Sequence, residues 1–212
     1  MRKFTIIILL FCLYAGLSNA IKAQNPDIDL LKKLNQSSVG LRNYSAFISK
    51  TTYIVVLAVP IAMGSSALIQ QNDNLLKDAI YIGSSMALTT ILTSGLKFGI
   101  DRKRPYDRYP GLLDVPYPES SSSFPSAHTS IAFTSATALS LKYPKWYVIL
   151  PSYAWAASVG YSRMNLGVHY PSDILAGALL GAGSSYLTYK INNWFWKKND
   201  NKKLIGLQAY WD

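Results

Sequence analysis

Apolar residues in this chain come in long blocks separated by polar loops. After an N-terminal run from Phe4 to Leu17, five apolar stretches follow: Thr52 to Ile69, Ala79 to Leu96, Ala127 to Leu141, Trp146 to Tyr161 and Ile174 to Tyr189. A helix that crosses a bilayer needs about 20 apolar residues, and Thr52 to Ile69 meets that demand best. The second and fifth stretches are rich in Gly, Ala, Ser and Thr, the small residues through which membrane helices approach one another. The third and fourth are shorter and spotted with polar side chains, so taken alone they fit a soluble helical bundle too. The pattern predicts an all-α fold, a membrane-embedded bundle of about five or six transmembrane helices.

The flanks carry their own signals. Arg2-Lys3, the apolar run and then Ser18-Asn19-Ala20 follow the order of a secretory signal, so residues 1–20 are read as a signal peptide. An uncleaved first transmembrane helix is the alternative. Residues 21–51 form an exterior amphipathic segment. In it Ile28, Leu30, Leu31 and Leu34 recur at near-helical spacing, either to lie on a membrane surface or to pack onto the domain. The last segment, 193–212, is a basic cytoplasmic tail. The single cysteine, Cys12, lies in the first apolar run and allows no intrachain disulfide.

Composition agrees with a membrane setting. Half of the residues are hydrophobic and 15% are charged, against about 25% charged in soluble domains. Tyr (15) and Trp (5) are plentiful, as they are where helices meet headgroups. The net charge of +10 raises the possibility of nucleic acid. No basic stripe interleaved with aromatics is present, so a nucleic-acid partner is excluded. Many basic residues sit instead at the ends of apolar stretches, at Lys142, Lys145, Lys190, Lys197, Lys198, Lys202 and Lys203. If those ends are cytoplasmic, the remaining polar clusters all fall at helix ends on the exterior face, periplasmic in a bacterial inner membrane.

Those clusters hold the candidate chemistry. The chain has only two histidines, His128 and His169, and imidazole titrates near neutrality. Lys97, Arg104 and Arg163 offer the cationic donors a tetrahedral phosphate needs, against the alternative of residues anchored at a membrane surface. Pro125-Ser126-Ala127-His128 reads as a helix start, whose free amides and Ser126 hydroxyl bind an anion beside His128. Ser126 also reads as a plain N-cap. His169 and Asp173 are four residues apart and share a face on a helical turn. There the carboxylate fixes the imidazole tautomer and leaves the other nitrogen free to attack. Arg102 and Lys103 are read as solvated or facing headgroups. The loop from Arg104 to Phe124 lies over the site mouth, and Tyr106, Tyr109 and Tyr117 line substrate or sit in the interface. Asp101, Asp107, Asp114 and Glu119 are scattered and make no metal-like cluster.

These residues resemble the three motifs of the type 2 phosphatidic acid phosphatase superfamily. Lys97, six intervening residues and Arg104-Pro105 match the first, and Pro125-Ser126-Ala127-His128 matches the second. Ser162-Arg163, five residues, His169, three residues and Asp173 match the third. Ala127 stands where glycine is usual. The resemblance covers roughly Thr52 to Tyr189 and is closest to the membrane-bound branch, giving a phosphatase domain over 52–192. It implies that His169 attacks phosphorus, Asp173 orients it, and His128 protonates the leaving oxygen. Lys97, Arg104, Ser126, the Ala127 amide, Ser162 and Arg163 would hold the phosphoryl oxygens, with no metal and no cofactor. The implied substrate is a lipid phosphate or a polyprenyl diphosphate. Three other readings stay open: a secreted broad-specificity acid phosphatase of the same superfamily, a vanadium-dependent haloperoxidase, and a non-catalytic membrane module that binds anionic lipid.

Overall fold

The computed structural model describes the backbone of residues 26–208 and the side chains of 26–196. Residues 1–20, with Cys12, and the tip of the basic tail lie outside those residues. Seven helices occur among the described residues, with no strand. They are α1 (Pro26–Asn35), α2 (Val39–Gln70), α3 (Asp73–Ile100), the single-turn α4 (Pro105–Arg108), α5 (Ala127–Lys142), α6 (Trp146–Asn165) and α7 (Pro171–Gln208).

Helices α2 and α3 are each long and apolar enough to cross a membrane. At 1.5 Å per residue, α3 extends about 42 Å, more than the roughly 30 Å of a hydrocarbon core. They join in a tight hairpin. Gln71 closes α2 in the left-handed region (φ 51°), and the Asn72 side chain caps α3 by accepting from the Leu75 amide. The link between them is therefore only two residues long, because the Asn72 cap admits Asp73 into the helix. Helix α2 likewise begins before the apolar stretch. Ser38 caps it, and the turns from Val39 to Thr51 carry it past the level of the site.

The bundle buries many hydroxyls beside its apolar core clusters and exposes many large apolar side chains. Buried positions include Ser45, Thr52, Ser85, Thr89, Thr129, Ser130, Thr134, Ser135 and Ser185, whereas Ile54, Ile61, Ile91, Leu150, Leu175 and Leu179 are exposed. Phe98 is 92% exposed. Water would penalise that arrangement, and lipid does not, because in lipid apolar burial drives no helix association. Hydroxyls join the helices instead. Thr89 on α3 bonds Thr134 on α5 (2.8 Å), Thr134 reaches the Gly181 carbonyl of α7 (3.3 Å), and Tyr81 reaches Ser185 (3.0 Å).

Helix α5 is the hub, and its most extensive packing is against α7. Two glycines one helical turn apart set that approach. A Cβ at Gly181 would lie 2.1 Å from the Ser130 carbonyl oxygen, and one at Gly177 would lie 2.8 Å from that of Ser126. The spacing of the pair is that of a small-xxx-small membrane contact. Helix α1 packs its buried Ile28 and Leu31 beside Tyr170. The Asn35 side chain then ties α1 to the Asn165 carbonyl and to both backbone groups of Asp114.

Replacing Gly181 by Leu forces α5 and α7 apart and costs more than the roughly 1–3 kcal/mol usual for overpacking. Gly183→Leu, whose new side chain meets open space, is the control. Gel filtration and thermal melting in detergent are expected to show loss of the folded species for Gly181→Leu alone.

Candidate active site

Four helix ends meet at one end of the bundle. The C-terminus of α3 brings Lys97, and Arg104 follows after Asp101 closes the helix in the left-handed region (φ 42°). The N-terminus of α5 brings Ser126, Ala127 and His128, and the C-terminus of α6 brings Ser162 and Arg163. A five-residue turn then delivers His169 just before α7, with Asp173 in the first turn of that helix. Gly167 starts the reversal at φ 71°, where a Cβ would press on Asn35 and Val115 at 3.0 Å.

His169 and Asp173 are both buried. His169 Nδ1 lies 3.4 Å from Asp173 Oδ2, while its Nε2 faces away, 3.4 Å from Arg104 Nη1. Asp173 is held on every side. Its Oδ2 accepts from the Ser123 hydroxyl (2.5 Å) and the Tyr170 amide (3.0 Å), and its Oδ1 accepts from Arg102 (2.6 Å). Burial pushes the His169 pKa down to about 4. The hydrogen bond to Asp173 opposes that shift, and the Arg163 and Arg104 charges add to it. His169 is therefore neutral, with Nε2 carrying a lone pair, through the whole neutral range.

Arg104 and Arg163, from different motifs, converge on one carboxylate. Arg104 donates to Glu119 Oε2 (2.7 Å), and Arg163 donates to Glu119 Oε1. Arg104 is also fixed by the Ser121 carbonyl (2.6 Å) and the Val168 carbonyl (2.9 Å). Arg163 also donates to Ser49 on α2, and its buried Nε has no partner among the described residues. Burial works against the Glu119 charge, yet the two guanidiniums outweigh it and hold the carboxyl at about pKa 2.

The remaining predicted residues are placed less uniformly. Ser126 is buried and its amide donates to the Asp173 carbonyl (3.2 Å), which locks the start of α5 to the start of α7. Its hydroxyl accepts from the Thr129 hydroxyl (3.0 Å). Ala127 opens α5, so its amide is one that the helix itself leaves unpaired. His128 is half-buried, with its ring 4.6 Å from that of Tyr53. Lys97 donates to the Ser122 carbonyl. Ser162 is turned onto the Val159 carbonyl of its own helix (2.7 Å). A cavity of about 220 Å³ opens beside these groups, lined by Ser49, Lys50, Tyr53, Tyr117, Glu119, His128 and Arg163 among others.

Sequence reasoning misplaced Arg102. It is not solvated: it bridges Asp173, Ser172 (2.7 Å) and Asp27 of α1 (2.9 Å), and it stacks over Tyr170 at 3.9 Å. A buried carboxylate needs a paired cation, and the Asp101 turn aims Arg102 inward. Glu119 is the second miss, read as one of several scattered acids. The serine run is the third: Ser121, Ser122 and Ser123 each bond a motif residue. Of the loop tyrosines, Tyr117 lines the cavity, and Tyr106 bonds the Glu119 backbone (2.6 Å). Only the clustering of polar residues in that loop could have flagged these contacts. Among the described residues no group of three His, Cys, Asp or Glu is placed to hold a metal ion.

This four-helix-end site inside an apolar-faced bundle has relatives. The sequence profile described as the PAP2 superfamily matches residues 78–197. An undecaprenyl-diphosphatase of Sulfolobus acidocaldarius is 32% identical over 200 residues, covering 91% of this chain and 94% of that protein. A lipid A 1-phosphatase of Rhizobium johnstonii is 33% identical over 51% of this chain and 45% of its own length. Among solved structures, LpxE of Aquifex aeolicus superposes with a TM-score of 0.68 at 25% identity, over 80% of this chain and 98% of that one. A transmembrane PAP2-type phosphatidylglycerolphosphate phosphatase of Bacillus subtilis superposes with a TM-score of 0.71 at 24% identity, over 88% and 95%. The chain belongs to the PAP2 superfamily. It is a phosphatase of that type and an integral membrane protein.

Two measurements check the site. With only two histidines, ¹⁵N-histidine NMR of the protein and of a His128→Gln variant assigns each ring, and His169 is expected to titrate near pH 4. Its protonation should remove activity as pH falls through that value. Arg102→Gln removes a charge-assisted bond of about 1.5–3 kcal/mol. It is expected to lower kcat about tenfold or more, read by phosphate release.

Proposed function

We propose that this protein hydrolyses a phosphomonoester or diphosphate on a membrane lipid through a phosphohistidine intermediate, without a metal ion. One observation carries the reading: Arg104 and Arg163 share a single carboxylate, and Arg104 also lies 3.4 Å from His169 Nε2. Two guanidiniums that can share a carboxylate can share a phosphoryl group, because both present oxygens to the same forked donors. The unpartnered Nε of Arg163 offers one donor more.

In this scheme the phosphoryl group displaces the Glu119 carboxylate. Lys97, Ser126, the Ala127 amide and Ser162 complete the set around its oxygens. His169 Nε2 donates its lone pair to phosphorus, and the bond from phosphorus to the leaving oxygen breaks. That oxygen keeps the electron pair and takes a proton from His128. Asp173 stabilises the charge that develops on His169. Water then loses a proton to His128, its oxygen attacks phosphorus, the bond to His169 breaks, and orthophosphate leaves. Fixed cations provide the charge stabilisation that phosphoryl transfer mostly requires.

The substrate class follows from chemistry and kinship together. The exposed apolar faces of α2, α3 and α7 surround a basic site, which suits a lipid with an anionic head. Two of the relatives named above are an undecaprenyl-diphosphatase and a lipid A 1-phosphatase, so a polyprenyl diphosphate or a lipid A phosphate leads the list. The site faces the periplasm or exterior. Lys77, Lys142, Lys145 and Lys190 lie towards the opposite end of the bundle, away from the phosphate-binding cations, where the positive-inside rule favours a cytoplasmic face.

Phosphate release is to be measured in detergent across polyprenyl diphosphate, lipid A phosphate, phosphatidic acid and phosphatidylglycerol phosphate. His169→Ala is expected to lose about 10,000-fold in kcat. EDTA should leave turnover intact, and vanadate should inhibit by mimicking five-coordinate phosphorus. Equal rates for wild type and His169→Ala, or a metal requirement, would overturn the scheme.

A further inference from the structure

Helix α2 contributes to the cavity wall although it lies outside the segment, 78–197, that carries the family profile. Its Ser49 is held by Arg163, and its Tyr53 ring rests against His128 at 4.6 Å. Lys50 lies between them in sequence, three residues from Tyr53 and so on a neighbouring helix face. Its ammonium sits 4.4 Å over the Tyr117 ring, at the wall of the same cavity as His128 and Arg163. The acid that lines this cavity, Glu119, is committed to the two arginines, and no carboxylate among the described residues pairs with Lys50. Lys50 is thus an exposed cation on the wall of a cavity that His128, the proposed proton donor, also lines.

We infer that Lys50 binds the phosphate nearest the lipid in a diphosphate substrate, and so selects diphosphate over monophosphate lipids. This rests on the phosphatase mechanism proposed above and names its substrate class. Attack by His169 on the terminal phosphorus breaks its bond to the bridging oxygen. The electron pair passes to that oxygen, which takes the His128 proton, and the departing lipid monophosphate keeps the negative charge of its remaining phosphate oxygens. Lys50 stands on the His128 side to balance it, with no bond made or broken at the lysine. From a lipid monophosphate the lipid leaves instead as an alcohol, its oxygen likewise taking the His128 proton, and it presents no second phosphate to Lys50. The Tyr117 ring keeps the ammonium extended over the cavity through its cation–π contact.

The test compares kcat/KM for a polyprenyl diphosphate and the matching polyprenyl monophosphate, using the full chain in detergent. In Lys50→Gln the diphosphate-to-monophosphate ratio is expected to fall about tenfold, equivalent to about 1.4 kcal/mol, and Lys50→Arg is expected to restore it. A second measurement needs no variant. Methylenediphosphonate should inhibit the wild type at least about tenfold more tightly than methylphosphonate, and that gap should close in Lys50→Gln. An unchanged ratio, a parallel loss on both substrates, or equal inhibition by the two phosphonates would overturn the proposal. Wild-type turnover of monophosphate lipids alone would overturn it while leaving the phosphohistidine scheme standing. Failure of that scheme shows separately, as activity in His169→Ala.

Discussion

A carboxylate shut away from solvent cannot stay charged unless its surroundings replace the water it has lost. Asp173 meets that demand with Arg102 on one oxygen and with Ser123 and the Tyr170 amide on the other. Each partner comes from a different piece of chain, so the need to satisfy one charge gathers the α3–α4 loop, the serine run and the start of α7 at a single point. His169 inherits its position from this gathering. Its Nδ1 faces the carboxylate, and its Nε2 is left to face Arg104.

That gathering depends in turn on how closely α5 and α7 approach. Without side chains at Gly177 and Gly181, the two backbones come near enough for the Ser126 amide to bond the Asp173 carbonyl. A medium that provides no hydrophobic drive leaves close packing and hydroxyl bonds to hold the helices. The buried threonines and serines of α3, α5 and α7 fill that role along the full depth of the bundle. Site and scaffold are therefore joined at the same contact, the end of the α5–α7 seam.

The all-helical character and the helix-bearing stretches were legible in the sequence, because an apolar block of bilayer length is too long for a strand and too greasy for a loop. The His169–Asp173 contact was legible as well, since a four-residue spacing at a helix start puts the pair on one side. Arg102, Glu119 and Ser123 were not. Each works across a distance of 15 to 71 positions in the chain, and loop residues carry no period that would reveal which way they point. Helix α1 was legible as amphipathic, but nothing in its pattern told membrane surface from protein. Asp27 decides much of that, since its carboxylate accepts from the Ser172 amide and from Arg102.

The Glu119 bridge offsets part of the positive charge that two buried guanidiniums bring to the resting pocket. In the scheme proposed above, an incoming phosphate enters by exchange: one anion leaves the fork as another arrives. The same exchange runs backward when orthophosphate is made. In that scheme a tethered carboxylate at high local concentration reclaims the arginines, and so helps to expel product. Under the proposed mechanism, a site basic enough to hold a phosphorane would thereby be kept from being trapped by the simplest phosphate of all.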